Sequence, residues 1–260
     1  MSYPSSNTPR RVSGATAALV LFLLGCLCCG AAFAQGAPPD GHDKRRFGGT
    51  YVAVQGYETG RLDAALADQG FPRFGDYAIR IGIESQAYRA SRHVLGSRLY
   101  YDQFVSDGTG LRNAGASAGA LGFGATYGYD LLYPGAWNLL LGVEIGVAVG
   151  RLVTTTSENV SGAVPNFAAP GTRNRLAFGT LYATPALTLQ SVEFGKVPTR
   201  VTLGVGYRLG TDATLSREGI PGAEFDLDIG ARGLYASLGI LSHVASVAEQ
   251  VETVLRRRRD

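Results

Sequence analysis

The sequence predicts an all-β fold: an eight-stranded antiparallel up-and-down transmembrane β-barrel, with an N-terminal signal peptide and a short C-terminal helical tail. Three observations carry this. Bulky apolar residues alternate with small or charged ones over several segments. Gly and Tyr are abundant, at 36 and 13 copies, while lysine occurs only at Lys44 and Lys196. After residue 34 no run is long and apolar enough for a transmembrane helix.

The chain opens with Arg10-Arg11, an apolar run from Ala15 to Gly30, and Ala32-Phe33-Ala34. A basic start, an apolar middle and a small-x-small end form a secretory signal, assigned to residues 1–34. An uncleaved anchor and a lipoprotein site at Leu23-Leu24-Gly25-Cys26 stay open as alternatives. Cys26, Cys28 and Cys29 all lie in this segment, so the exported chain has no disulfide or cysteine metal site. Removing it takes away two arginines and no acid, and the formal charge falls from +3 to +1. That balance gives no reason to expect a nucleic acid as partner. Residues 35–45 form a periplasmic tail before the barrel at 46–243.

Strands are expected at about 47–57, 76–89, 98–106, 116–132, 136–155, 173–193, 199–212 and 225–243. Successive strand residues point to opposite faces. In the fifth strand one face holds Trp137, Leu139, Leu141, Val143 and Ile145, and the other holds Gly142, Glu144 and Gly146. In the seventh, Val201, Leu203, Val205 and Tyr207 oppose Arg200, Thr202, Gly204, Gly206 and Arg208. The second and fourth repeat the pattern. The third is poorly patterned. The sixth changes phase near Thr180 and the eighth near Arg232-Gly233, where Gly233 fits a β-bulge. Short connections (Ala90–Gly96, Tyr133–Gly135, Gly195–Pro198) alternate with long ones (Glu58–Asp76, Ser106–Gly115, Thr156–Thr172, Thr211–Glu224). That alternation is the plan of an outer-membrane barrel with its long loops outside.

A soluble ligand-carrying barrel would turn the apolar face inward and put the other face in water. That other face is Gly, Ala and Thr with scattered charges, too poor in Lys, Glu and Asp for a wet wall. The bulky face therefore meets lipid, and outer-membrane lipids and lipopolysaccharide become its partners. Trp137, Tyr77, Tyr129, Tyr133 and Tyr207 suit the interfacial aromatic girdles.

The lumen then receives Arg80, Glu84, Asp130, Glu144, Arg200, Arg208, Asp226, Asp228 and Arg232. An eight-stranded interior is just wide enough to be filled by side chains. Buried charges must be paired, so a salt-bridged core is expected. A narrow pore for ions or small solutes is the alternative, and a lipid-modifying enzyme the third reading. The histidines speak against an enzyme: His42 lies in the N-terminal tail, His93 in a periplasmic turn and His243 at the last strand's periplasmic end. Ser242 and His243 are adjacent and face opposite sides. No cofactor or metal motif is found. Gly122-Phe123-Gly124 with Gly128 has the wrong spacing for a nucleotide loop. The tail at 244–260 is basic and helical, with Val247, Val251, Val254 and Leu255 near one face before four arginines.

Three segments resemble the small outer-membrane β-barrel domain family of alphaproteobacterial surface antigens and opacity-type porin-family proteins. They are Phe47-Gly48-Gly49-Thr50-Tyr51-Val52-Ala53-Val54-Gln55-Gly56-Tyr57, the pair Tyr127-Gly128-Tyr129-Asp130 and Trp137–Glu144, and Gly204-Val205-Gly206-Tyr207-Arg208. The resemblance spans about residues 46–243. It implies a Gram-negative outer-membrane surface protein with no catalytic residues, in envelope integrity, adhesion or slight pore formation. It also implies handling by the barrel-assembly machinery, which reads a final strand that usually ends on an aromatic. Here that signal is expected internally, around Gly233–Val244. An extracellular partner would bind the long loops.

Overall fold

The computed structural model describes residues 46–89, 92–106, 114–132, 137–156, 173–194, 198–217 and 224–243. The segments expected to be a signal peptide (1–34) and a helical tail (244–260), the stretch 35–45 with His42, and most of the loop at 156–172 lie outside the described residues.

The elements are β1 (Arg46–Gly56), α1 (Gly60–Asp68), β2 (Phe74–Arg89), β3 (His93–Ser106), β4 (Ala114–Asp130), β5 (Asn138–Thr156), β6 (Arg173–Gln190), β7 (Thr199–Gly210), β8 (Asp212–Arg217), β9 (Glu224–Gly230) and β10 (Gly233–His243). Strands β1 to β7 pair in sequence, β7 pairs with β10, and β10 returns to β1. The β5–β6 pairing completes the ring, so eight strands close an antiparallel barrel with no free edge along the wall. The hairpin of β8 and β9 stands beyond β7 and β10. It touches the ring through Leu176↔Arg217, Ala177↔Ser216 and the bridge Glu58↔Gly230.

Alternation decides the two faces. On β2, Ile79, Ile81 and Ile83 point outward while Ala78, Arg80 and Glu84 are buried inside. Val52 pairs with Ile81 and Val54 with Ile79, which places β-branched outward residues side by side across the ladder. The inward glycines make room for rings. A Cβ at Gly122 would lie 2.1 Å from the Tyr100 ring, and one at Gly150 would lie 2.1 Å from Phe178.

Several boundaries differ from the sequence reading. The third strand starts at His93, not near residue 98, because Val94 to Ser97 continue the ladder with β2. His93 is therefore a strand residue and not part of a turn. The expected loop Glu58–Asp76 contains α1, and Thr211–Glu224 contains β8. The sixth strand keeps one phase throughout: Leu176, Phe178, Thr180, Tyr182 and Thr184 are all inward and buried. The lumen changes chemistry there, from polar to apolar, and the sequence pattern mimics a phase change. The eighth strand does break, at Ala231-Arg232, into β9 and β10. Gly233 beyond the break has φ +148°, and a Cβ there would sit 2.7 Å from the Gly56 Cα, so glycine is required.

Candidate functional site

The lumen is filled at three levels. At the loop end α1 closes the mouth. Leu62 and Leu66, four residues apart on one helical face, are fully buried against Phe71, Phe74, Phe104 and Phe178. Burying each leucine contributes about 1.5–3 kcal/mol. The Asp63 carboxylate ties the connection down, accepting from the Phe74 N–H and from the Thr59 hydroxyl, both at 2.7 Å. Leu215 of β8 and Ile229 of β9 complete the same cluster.

At mid-height lies a network of three arginines and three carboxylates from four strands. Arg80 of β2 donates through Nε and Nη2 to Asp102 of β3, at 2.7 and 2.8 Å. Tyr57 also donates to Asp102. Arg98 of β3 donates to Glu84 at 2.6 Å and to Glu144 of β5 at 3.0 Å. Tyr182 of β6 donates to the second Glu144 oxygen at 2.7 Å. Arg208 of β7 sits 3.7 Å from Glu144 and 4.0 Å from Asp102. The guanidinium groups also lie over rings: Arg80 is 3.4 Å from the Tyr100 centroid and Arg208 is 3.7 Å from that of Tyr182. Opposite charges balance within the cluster, which is what its burial demands.

At the turn end the lumen closes with amides and a second layer of charge. Gln190 donates to Gln86 at 2.8 Å, and Arg200 donates to Glu193 at 2.6 Å and to the Tyr88 hydroxyl at 2.7 Å. Asp130 accepts from the Leu132 and Leu139 N–H groups, bracing the β4–β5 connection.

Of the charges expected inside, Arg80, Glu84, Glu144 and Arg208 meet in the central network. Asp130 and Arg200 lie at the turn end, apart from it. The side chains of Asp226 and Asp228 lie outside the described residues. Arg232 is a correction: its side chain is 43% exposed and pairs with Glu58 and Asp212 on the outer wall. The break at Ala231-Arg232 interrupts the alternation that would have aimed it inward. It lines a side groove of about 730 Å³ with Tyr77, Tyr207 and Leu234. Arg98, Tyr100 and Asp102 were missed, because the third strand alternates polar and aromatic residues on both faces. Trp137, Leu141, Ile145, Leu203, Val205 and Tyr207 are exposed on the outside of the wall. Leu139, Val143 and Val201 share that face and are half-buried among neighbours.

The arrangement holds charge still rather than moving it. Each carboxylate of the central network is engaged by an arginine. His93 meets the Tyr127 hydroxyl at 2.8 Å on the outside, and His243 lies edge-on to Phe47. Ser242 turns to Thr199, at 3.2 Å between hydroxyl oxygens. Among the described residues no group of His, Cys, Asp and Glu is disposed to hold a metal ion.

Fold and site together define the class: a closed eight-stranded antiparallel barrel, apolar outside, with an ion-paired lumen capped by a short helix. No family model matches the chain, and no curated protein matches it. Among solved structures it is similar to the outer membrane protein OprG from Pseudomonas aeruginosa, at 14% identity and a TM-score of 0.40, covering 79% of this chain and 99% of that one. It is also similar to a major outer membrane protein from Thermus thermophilus, at 10% identity and a TM-score of 0.42, covering 78% and 100%.

Proposed function

We propose that the chain is a non-enzymatic outer-membrane β-barrel of a Gram-negative envelope, exported by its signal peptide and serving a structural or surface role. One observation carries the reading: a ring of strands with bulky apolar residues outside and a lumen packed with paired charges. Ile81, Ile145 and Val205 stand 63%, 53% and 59% exposed on that wall, an arrangement water would penalise and acyl chains would not. The sequence resemblance to the small outer-membrane β-barrel domain family agrees with it, and on this reading the chain is handled by the barrel-assembly machinery. The long connections face the exterior in this reading, and any extracellular partner binds there.

The lumen does not conduct. A permeating ion would have to displace α1, separate Arg98 from Glu84 and Glu144, and part Gln86 from Gln190. The purified full chain, inserted into planar lipid bilayers, is expected to give no stepwise current. Steady, reproducible channels of one conductance would overturn the plugged-lumen reading in favour of a narrow pore.

A further inference from the structure

The geometry points to an occluded halide ion in the middle of the lumen, held by Arg208, Arg80 and Tyr100; this rests on the plugged-lumen reading above. Hydrogen bonds in the central network are spread unevenly. Asp102 already accepts from Arg80 and Tyr57. Glu144 already accepts from Arg98 and Tyr182, and Glu84 accepts from Arg98. Arg208 is left as a cation that no carboxylate hydrogen-bonds. Its Nη2 stands 3.7 Å from Glu144 and its Nη1 stands 4.0 Å from Asp102, both beyond hydrogen-bond reach.

The donors left over share one neighbourhood. Arg208 Nη1 and Nη2, Arg80 Nη1 and the Tyr100 hydroxyl are all buried, with no hydrogen-bond partner among the described residues. The guanidinium carbons of Arg80 and Arg208 lie 3.4 and 5.4 Å from the centre of the Tyr100 ring. Both arginines also end near the same Asp102 oxygen, Arg80 at 2.8 Å and Arg208 at 4.0 Å. On β1 the Tyr51 hydroxyl is unpartnered too, and Gln55 Oε1 is the one atom of this buried set that can only accept. An unpaired buried donor is costly, and more so on a charged group.

The surplus of donors selects the ligand. A water molecule brings two donors of its own, into a place where the carboxylates are already engaged. A halide accepts from several donors and brings none, and its bonds to guanidinium are charge-assisted. Three arginines already balance three carboxylates, so any added charge must be small: a singly charged ion fits, and sulfate or phosphate would leave too much charge buried. Closure sets the route. Leu62 and Leu66 of α1 seal the loop end, and Gln86 with Gln190 seals the turn end. The ion therefore enters while the barrel folds and does not exchange afterwards.

The test folds the full chain into detergent micelles in sodium bromide and desalts it into sodium sulfate. The folded protein is then denatured by heat, and the released bromide is measured by ion chromatography. A second sample folds in sodium sulfate and meets bromide only afterwards. Folding is checked by the heat-dependent change in gel mobility. Bromide in molar proportion to folded chain is expected from the first sample and none from the second. Arg208→Met should fold and retain none. Tyr100→Phe removes one hydroxyl and keeps the ring, so it should retain less than the parent chain even if Arg208→Met does not fold. Arg46→Ser, which removes an exposed arginine, should retain as much as the parent. A folded parent chain that retains no bromide, or Arg208→Met or Tyr100→Phe retaining as much as the parent, would overturn the halide site and leave the plugged lumen standing. Equal uptake whether bromide is present during folding or only afterwards would overturn the plugged lumen itself, and the occluded site with it.

Discussion

Arg80 and Arg208 are both fully buried, yet they are held differently. Arg80 is clamped by two hydrogen bonds to Asp102. Arg208 makes one long bond to Thr184, at 3.4 Å, and otherwise rests on the Tyr182 ring and on charge. Removing one member of a buried pair costs about 3–5 kcal/mol, because the other charge stays behind. Arg80→Ala should lose about that much in urea unfolding of the folded protein in detergent. Arg208→Met keeps bulk and leaves Glu144 with Arg98 and Tyr182, so its loss should be less than half of that for Arg80→Ala. Equal losses would mean the network is not organised as these distances say. Parity alone made Arg80, Glu84, Glu144 and Arg208 legible. Arg98 and Asp102 were legible too, through a signal that went unused. The charges at 80 and 84 and those at 98 and 102 have the same spacing and the same order, cation before anion. An antiparallel ladder pairs them as Arg80↔Asp102 and Glu84↔Arg98. Arg232 could not be placed, because its direction depends on a backbone break.

At the scale of elements, α1 decides whether the barrel has an open mouth. Its nine residues could not persist as an isolated helix, so tertiary contacts hold it. Nothing in Gly60–Asp68 stands out, since Leu62 and Leu66 are too few to make a pattern and the surrounding connection reads as loop. Asp63 is the residue that fixes it. Asp63→Ala would leave the buried Phe74 N–H without an acceptor, at a cost of about 1–3 kcal/mol. The expected result is faster tryptic cleavage of the folded protein at Arg61 and Arg73, with the rest of the barrel uncut. Unchanged cleavage would mean Leu62 and Leu66 anchor the helix without it. The strands were easier to read. The second, fourth, fifth and seventh have one bulky and one small face, which only a closed wall with distinct sides requires. The third and sixth were misread where inside and outside share aromatic or aliphatic residues.

At the scale of the molecule, the outward face and the filled lumen are two consequences of one pattern. Small inward residues admit large inward rings and guanidinium groups, and those fill the space that a pore would need. Bulky residues then remain for the outside. The measurement that tests this most directly is quenching of tryptophan fluorescence by brominated lipids. Trp137 is the single tryptophan, on the outer wall at the turn end. A second chain carries Trp137→Phe with Ile145→Trp and reports from the middle of the band. Bromine near the headgroups should quench Trp137 most strongly, and bromine deep in the acyl chains should quench the tryptophan at position 145. Tryptophans at both positions that ignore bromine at every depth, and instead respond to aqueous iodide, would contradict the account: the bulky face would then meet water, and the chain would be no membrane barrel.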